Sequence, residues 1–137
     1  MCPDIIKLDN LSADVDYRNL SGLSLAFIGD AVYELFIRKH VLSKGEARVK
    51  DLHKDTVRLV NADFQADMTD VLMPLLREDE LAVFKRGRNA HAGHTPKNKS
   101  EAQYHKSTGF EALIGYLYLK KDFERLDFIF SEVLKNE

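Results

Sequence analysis

The chain has 137 residues, 45% of them hydrophobic and 31% charged, with only seven Gly and three Pro; this is the size of one domain, with enough apolar content for a core and too much for disorder. The single cysteine, Cys2, excludes an internal disulfide and suits a reducing, cytoplasmic setting. The opening "MCPDIIKLDNLSADVD" has neither a basic start nor an apolar run, and no other stretch reaches transmembrane length, so neither a secretory leader nor a membrane role is expected. The formal net charge of −2 hides an asymmetry: residues 85–106, "KRGRNAHAGHTPKNKSEAQYHK", hold six Lys or Arg against one Glu, a charge of +5, which leaves −7 on the rest. Three of the five histidines also lie in that window. Such a concentration marks a polyanion site more readily than a merely solvated loop.

In chain order, Ser21 is placed to cap a helix over roughly 22–42, which Gly45 ends. The segment "RVKDLHKDTVRLVNADFQA" spaces Val49, Leu52, Thr56, Leu59, Val60 and Phe64 as one further helix. "DVLMPLL" reads as a short helical piece disturbed by Pro74, and "EDELAVFKRGR" as a helix whose acidic start and basic end complement its dipole. Gly87, Gly93 and Pro96 are expected to break the chain into a loop. Ser100 followed by Gln103 opens a long helix to about Leu119, and Asp122 caps a last one in "FERLDFIFSEVLK". Strand signals are nearly absent, so the fold class is all-α.

Two carboxylates interrupt otherwise apolar helices. Asp30 lies in "SLAFIGDAVYE" among Ala26, Phe27, Ile28, Ala31 and Val32, and is expected to be buried; Glu111 is the only charge from Phe110 to Leu119. A bare carboxylate in apolar surroundings costs several kcal/mol unless it is paired, protonated or bound to a cation. Each lies close to a glycine, Gly29 or Gly115, where backbones can approach closely, so the two helices are expected to cross there and bring Asp30 to Glu111. Such a pair keeps a proton or holds a hard cation, Mg²⁺ or Mn²⁺. Two alternatives stand beside it: an ordinary capped or Arg-paired core acid, and a competing pair of Asp30 with Glu34 four residues on.

These residues also carry a resemblance. "LAFIGDAVYE" resembles the signature helix of the ribonuclease III catalytic domain, and "TGFEALIGYLYL" resembles that domain's second metal-binding helix. "FKRGRNA" followed by "PKN" is similar to the short bacterial subgroup called Mini-ribonuclease III. The match runs from about Asp16 to the C-terminus, and it implies a single catalytic domain over 1–137. It further implies a homodimeric, Mg²⁺-dependent endoribonuclease that cleaves double-stranded RNA, linked in this subgroup to maturation of large-subunit (23S) ribosomal RNA. Asp30 and Glu111 match the metal-binding, catalytic acids. Phe27 matches the aromatic at the dimer contact, against the plainer reading of a core phenylalanine. The larger enzymes have a glutamate where Ala26 stands and an aspartate where Thr108 stands, and they carry a double-stranded-RNA-binding domain for which there is no room here.

On this reading Arg86, Arg88, Lys97, Lys99 and Lys106 contact phosphates, and Asn89 and Asn98 donate to 2′-hydroxyls or cap turns. His91, His94 and His105 lack partners spaced for a closed zinc site. Two rival functions differ in class. A non-catalytic RNA-binding module would have lost its acids, whereas Asp30 and Glu111 are intact. A helical metal-dependent nucleotide hydrolase would show acids three apart within a helix; Asp67 with Asp70, and Glu124 with Asp127, read instead as solvated faces.

Overall fold

The computed structural model describes residues 15–45, 48–90 and 100–137. The described residues form six α-helices and two short 3₁₀ turns, with no strand among them. Helix α1 (Gly22–Ser43) starts where Ser21 accepts the Ser24 N–H at 3.1 Å, satisfying one of the orphan donors of its first turn, and it gives way at Gly45, whose φ of +125° no ordinary side chain adopts readily.

Where the apolar spacing predicts one helix over 48–66, the structure has two, α2 (Val49–Val60) and α3 (Ala62–Leu72). Asn61 separates them. Its backbone is extended (φ −73°, ψ 159°), its Oδ1 accepts the Phe64 N–H at 2.9 Å, and its Nδ2 donates to the Val57 carbonyl at 3.0 Å. One side chain therefore closes the first helix and opens the second. The apolar period runs on across the break because Leu59, Met68 and Leu72 all enter the same core. At Pro74 the chain makes a single 3₁₀ turn, Met73–Leu75.

Helix α4 (Glu78–Asn89) also departs from expectation. Gly87 does not break the chain; it lies buried inside the helix, against α5, where an added Cβ would stand 2.6 Å from the Ala112 Cβ. Gly93 and Pro96 lie outside the described residues. Nor is Glu80 simply a first-turn acid that complements the dipole. It is fully buried, its carboxylate accepting from Arg125 Nε at 2.6 Å and Nη2 at 2.8 Å and from the Arg77 backbone N–H at 2.8 Å. Arg77 extends this cluster to Asp122 at 2.8 Å.

Helix α5 (Glu101–Leu119), with Ser100 accepting the Gln103 N–H at 3.1 Å, runs through the centre. Phe110, Ala112, Leu113, Ile114 and Leu117 are buried around it, which explains an apolar sequence with no polar face. Helix α1 lies along α5 through Leu25, Tyr33 and Ile37. The Tyr33 ring meets Phe110 edge-on at 5.1 Å, and its hydroxyl donates to the Leu59 carbonyl at 2.6 Å, so the buried phenol is satisfied. Helix α6 (Phe123–Leu134), capped by Asp122, adds Leu126, Ile129, Phe130 and Val133, with Phe36 stacked on Phe130 at 3.8 Å. None of these helices is long and apolar enough to cross a membrane.

Candidate active site

The site begins where α1 and α5 touch. A Cβ on Gly29 would overlap the carbonyl oxygen of Glu111, and a Cβ on Gly115 would overlap that of Leu25. Only two glycines allow backbones this close. Because Asp30 follows Gly29, and Glu111 lies one turn before Gly115, the crossing sets the two carboxyl groups within hydrogen-bonding reach of each other.

Their surroundings differ from expectation in one respect. Asp30 is exposed, not buried. Helix α1 turns Leu25, Ala26, Gly29 and Tyr33 inward, while Phe27, Asp30, Ala31 and Leu35 face solvent, with Phe27 83% and Leu35 71% exposed. The helix reads as apolar all round because apolar residues occupy both faces, but only one face lies in this chain's own core. Phe27 is therefore no core phenylalanine. Glu111 is partly buried, and burial first, then the hydrogen bond and the charge of Asp30, push its pKa up to about 8, against the smaller opposing pull of the Gln65 amide. Burial and then Glu111 likewise raise the Tyr33 phenol. The competing pair is not formed in the same way: Glu34 turns to Arg38 at 2.7 Å.

The donor set of the pair is all oxygen. Ala26 and Thr108 add no carboxylate; Thr108 is buried and its hydroxyl donates to the Tyr104 carbonyl at 3.1 Å. Among the described residues, no group of three or more His, Cys, Asp or Glu is arranged to hold a metal. The pair nonetheless fits one hard divalent cation: two carboxylates that repel each other when both are ionised, one of them reached from solvent.

The basic segment is divided. Arg88, Asn89 and Lys106 line one open groove between the end of α4 and the start of α5, together with Glu101, Ala102 and His105. Within it Arg88 Nε donates to the Asn89 Oδ1 at 3.1 Å, His105 Nδ1 lies 3.1 Å from the Arg88 carbonyl, and Lys106 Nζ contacts Asp70 at 3.0 Å. Arg86 does not line this groove; its guanidinium donates to the Leu20 carbonyl. Lys97, Asn98 and Lys99, with His91 and His94, lie outside the described residues.

Sequence reasoning missed what stands behind Glu111. Gln65 of α3, 1% exposed, donates from Nε2 to Glu111 Oε2 at a long 3.4 Å and accepts the Ser107 hydroxyl at 2.7 Å. A signal was present. Gln65, Met68, Thr69 and Leu72 share the i, i+3, i+4, i+7 stripe that α3 buries, so a glutamine on that stripe needs a buried polar partner.

Comparison with known proteins bears on this site directly. Residues 23–122, which contain both carboxylates and the groove, match the family described as "Ribonuclease III domain". The chain is 50% identical over 116 residues to "Mini-ribonuclease 3" of Symbiobacterium thermophilum, covering 85% of this chain and 86% of that one. It is 45% identical over 120 residues to "Mini-ribonuclease 3" of Clostridium tetani, covering 87% and 80%. A crystal structure of a protein from Fusobacterium nucleatum superposes with a TM-score of 0.79 at 35% identity, over 90% of this chain and 98% of that one. An all-α chain whose signature helix crosses its second acidic helix at two glycines, matched at this level over most of its length, belongs to the Mini-ribonuclease 3 family within the ribonuclease III domain family.

Proposed function

We propose that this endoribonuclease cleaves double-stranded RNA in a Mg²⁺-dependent reaction, that Asp30 and Glu111 hold the metal, and that the enzyme acts in the cytoplasm as a homodimer in maturation of large-subunit (23S) ribosomal RNA. The observation that carries the reading is the carboxyl pair at the α1–α5 crossing, where burial and then Asp30 push the Glu111 pKa up to about 8. Mn²⁺ is the natural substitute, since both ions favour oxygen donors. Bound there, the metal supplies charge neutralisation at a phosphodiester and an activated water.

The protein's own part is to hold the substrate in place. Arg88 and Lys106 line the groove beside α5 and offer cationic donors to phosphate oxygens, which accounts for affinity without sequence readout. Lys106 lies on the same helix as Glu111, five residues before it. Asn89 faces the same groove with an amide suited to a 2′-hydroxyl, the group that distinguishes RNA from DNA. Lys97, Asn98 and Lys99 extend the basic segment in sequence. Arg86 contributes by fixing α4 to the start of α1 through Leu20, and any phosphate contact it makes uses its remaining donors.

Homodimer formation is supported by the solvent-facing stripe of Phe27, Ala31 and Leu35 next to Asp30. A contiguous apolar face of this kind is costly in water and is normally covered.

The test is cleavage of a duplex RNA with and without Mg²⁺, beside a nucleoside triphosphate as the competing substrate class. Asp30→Asn and Glu111→Gln are each expected to lower cleavage at least a thousandfold while the circular dichroism spectrum stays helical. Wild-type turnover by either variant would remove the metal assignment.

A further inference from the structure

Behind the carboxyl pair stands a short polar chain that the family resemblance does not supply. Ser107, on the buried side of α5, donates its hydroxyl to Gln65 Oε1 at 2.7 Å. In this arrangement Oε1 accepts the Ser107 hydroxyl and Nε2 faces Glu111 Oε2, 3.4 Å away. The backbone of Gln65 is held as well, its carbonyl accepting the buried Thr69 hydroxyl at 3.0 Å. Gln65 itself is 1% exposed, so it contacts neither solvent nor a substrate lying in the groove. A glutamine in such a place, offering a donor to one oxygen of a carboxylate that also faces Asp30, is placed to orient that carboxylate.

We infer that Gln65 is a positioning residue for Glu111, held by Ser107, and that the Ser107–Gln65–Glu111 chain sets the direction in which Glu111 presents its carboxylate to a divalent cation shared with Asp30. The inference rests on the metal assignment proposed above. Partners of this kind are worth about 10- to 100-fold in metal affinity or activity, because they fix the orientation of the ligand rather than its presence.

The experiment compares wild type with Gln65→Met, which keeps the volume and removes the amide, with Ser107→Ala, and with Glu111→Gln as a control on the site itself. Mn²⁺ is titrated into RNA-free protein and followed by calorimetry, and cleavage of a duplex RNA is resolved into kcat and KM. Gln65→Met is expected to weaken Mn²⁺ binding about tenfold or more and to lower kcat to a similar extent, with KM for RNA unchanged. Ser107→Ala moves both in the same direction by less. A folded Gln65→Met with a lowered melting temperature, but Mn²⁺ affinity and kcat within twofold of wild type, shows that Gln65 only fills the core and overturns the inference. If Gln65→Met does not fold, Ser107→Ala decides: unchanged affinity and kcat overturn the proposal. A Glu111→Gln variant that still cleaves and binds Mn²⁺ removes the metal assignment and the inference with it. An inactive Glu111→Gln beside an undisturbed Gln65→Met removes the inference alone.

Discussion

At the scale of single residues, Glu111 is an acid whose state differs between the folded and unfolded chain. In the unfolded chain it titrates near 4.5; in the fold, burial and then Asp30 push it up to about 8. Between those values the folded state binds a proton that the unfolded state has lost, so stability without metal falls as pH rises from about 4.5 to about 8. The expected loss is on the order of 1–3 kcal/mol, allowing for the exposed side of the pair. Melting curves across that range in the presence of a chelator check it: wild type declines, Glu111→Gln stays nearly flat, and Mg²⁺ at pH 8 recovers part of the loss in wild type only. Equal slopes in wild type and variant would place the titration elsewhere. The position of Glu111 was legible from sequence because one charge in a ten-residue apolar run has to be explained. Gln65 was not noticed because an uncharged amide in an ordinary amphipathic helix raises no alarm until its partner, 46 residues away, is seen. The exposure of Asp30 was misjudged for a related reason. Apolar neighbours in sequence do not say which molecule covers them.

At the scale of elements, local signals placed most helix ends. Ser21, Ser100 and Asp122 each cap the helix expected of them, because a side-chain oxygen two or three residues from orphan N–H groups acts within one turn and needs no tertiary context. Asn61 does the same work, but it was hidden inside a continuous apolar period. Glu80 shows the opposite failure. Its place in the first turn of α4 predicts a helix-dipole role on the surface, whereas the fold encloses it between Arg77 and Arg125. Burial alone would raise the Glu80 pKa; the hydrogen bonds and charge of Arg125, aided by Arg77, hold it below the usual carboxylate range. Removing Arg125 leaves the buried Glu80 charge with Arg77 as its remaining partner, so Arg125→Leu is expected to cost up to about 3–5 kcal/mol in denaturant unfolding. The loss should narrow at low pH, as Glu80 takes up a proton in the variant. A cost under about 1 kcal/mol would mean that Glu80 is solvated. Since α4 also carries Arg88 and Asn89, this ion pair anchors one wall of the groove.

At the scale of the whole molecule, the fold class was legible from the absence of strand signals and the density of helical periods, and the order of the acidic and basic segments was enough to suggest the family. The outer face of α1 was not fully legible, because a residue exposed in one chain and covered in a pair has the same sequence either way. If that face joins two copies, sedimentation at micromolar concentration gives about twice the 15.7 kDa chain mass. Phe27→Glu, which puts a charge on a highly exposed apolar residue of the stripe, gives a single-chain mass. A wild-type monomer that still cuts both strands of a duplex would contradict the pairing.

The glycine crossing carries a consequence for how the carboxyl pair can vary. Where side chains separate two helices, their spacing can be adjusted by small steps, a methylene at a time. Here backbone rests on backbone, and there is no increment smaller than a whole methyl group at Gly29 or Gly115. The distance between Asp30 and Glu111 is therefore not a quantity that gradual substitution can tune at the crossing itself. It behaves as a fixed gauge, and adaptation to new substrates has to come from the rim, from the groove at the ends of α4 and α5 and from the basic segment between them, while the gauge is kept or lost as a unit.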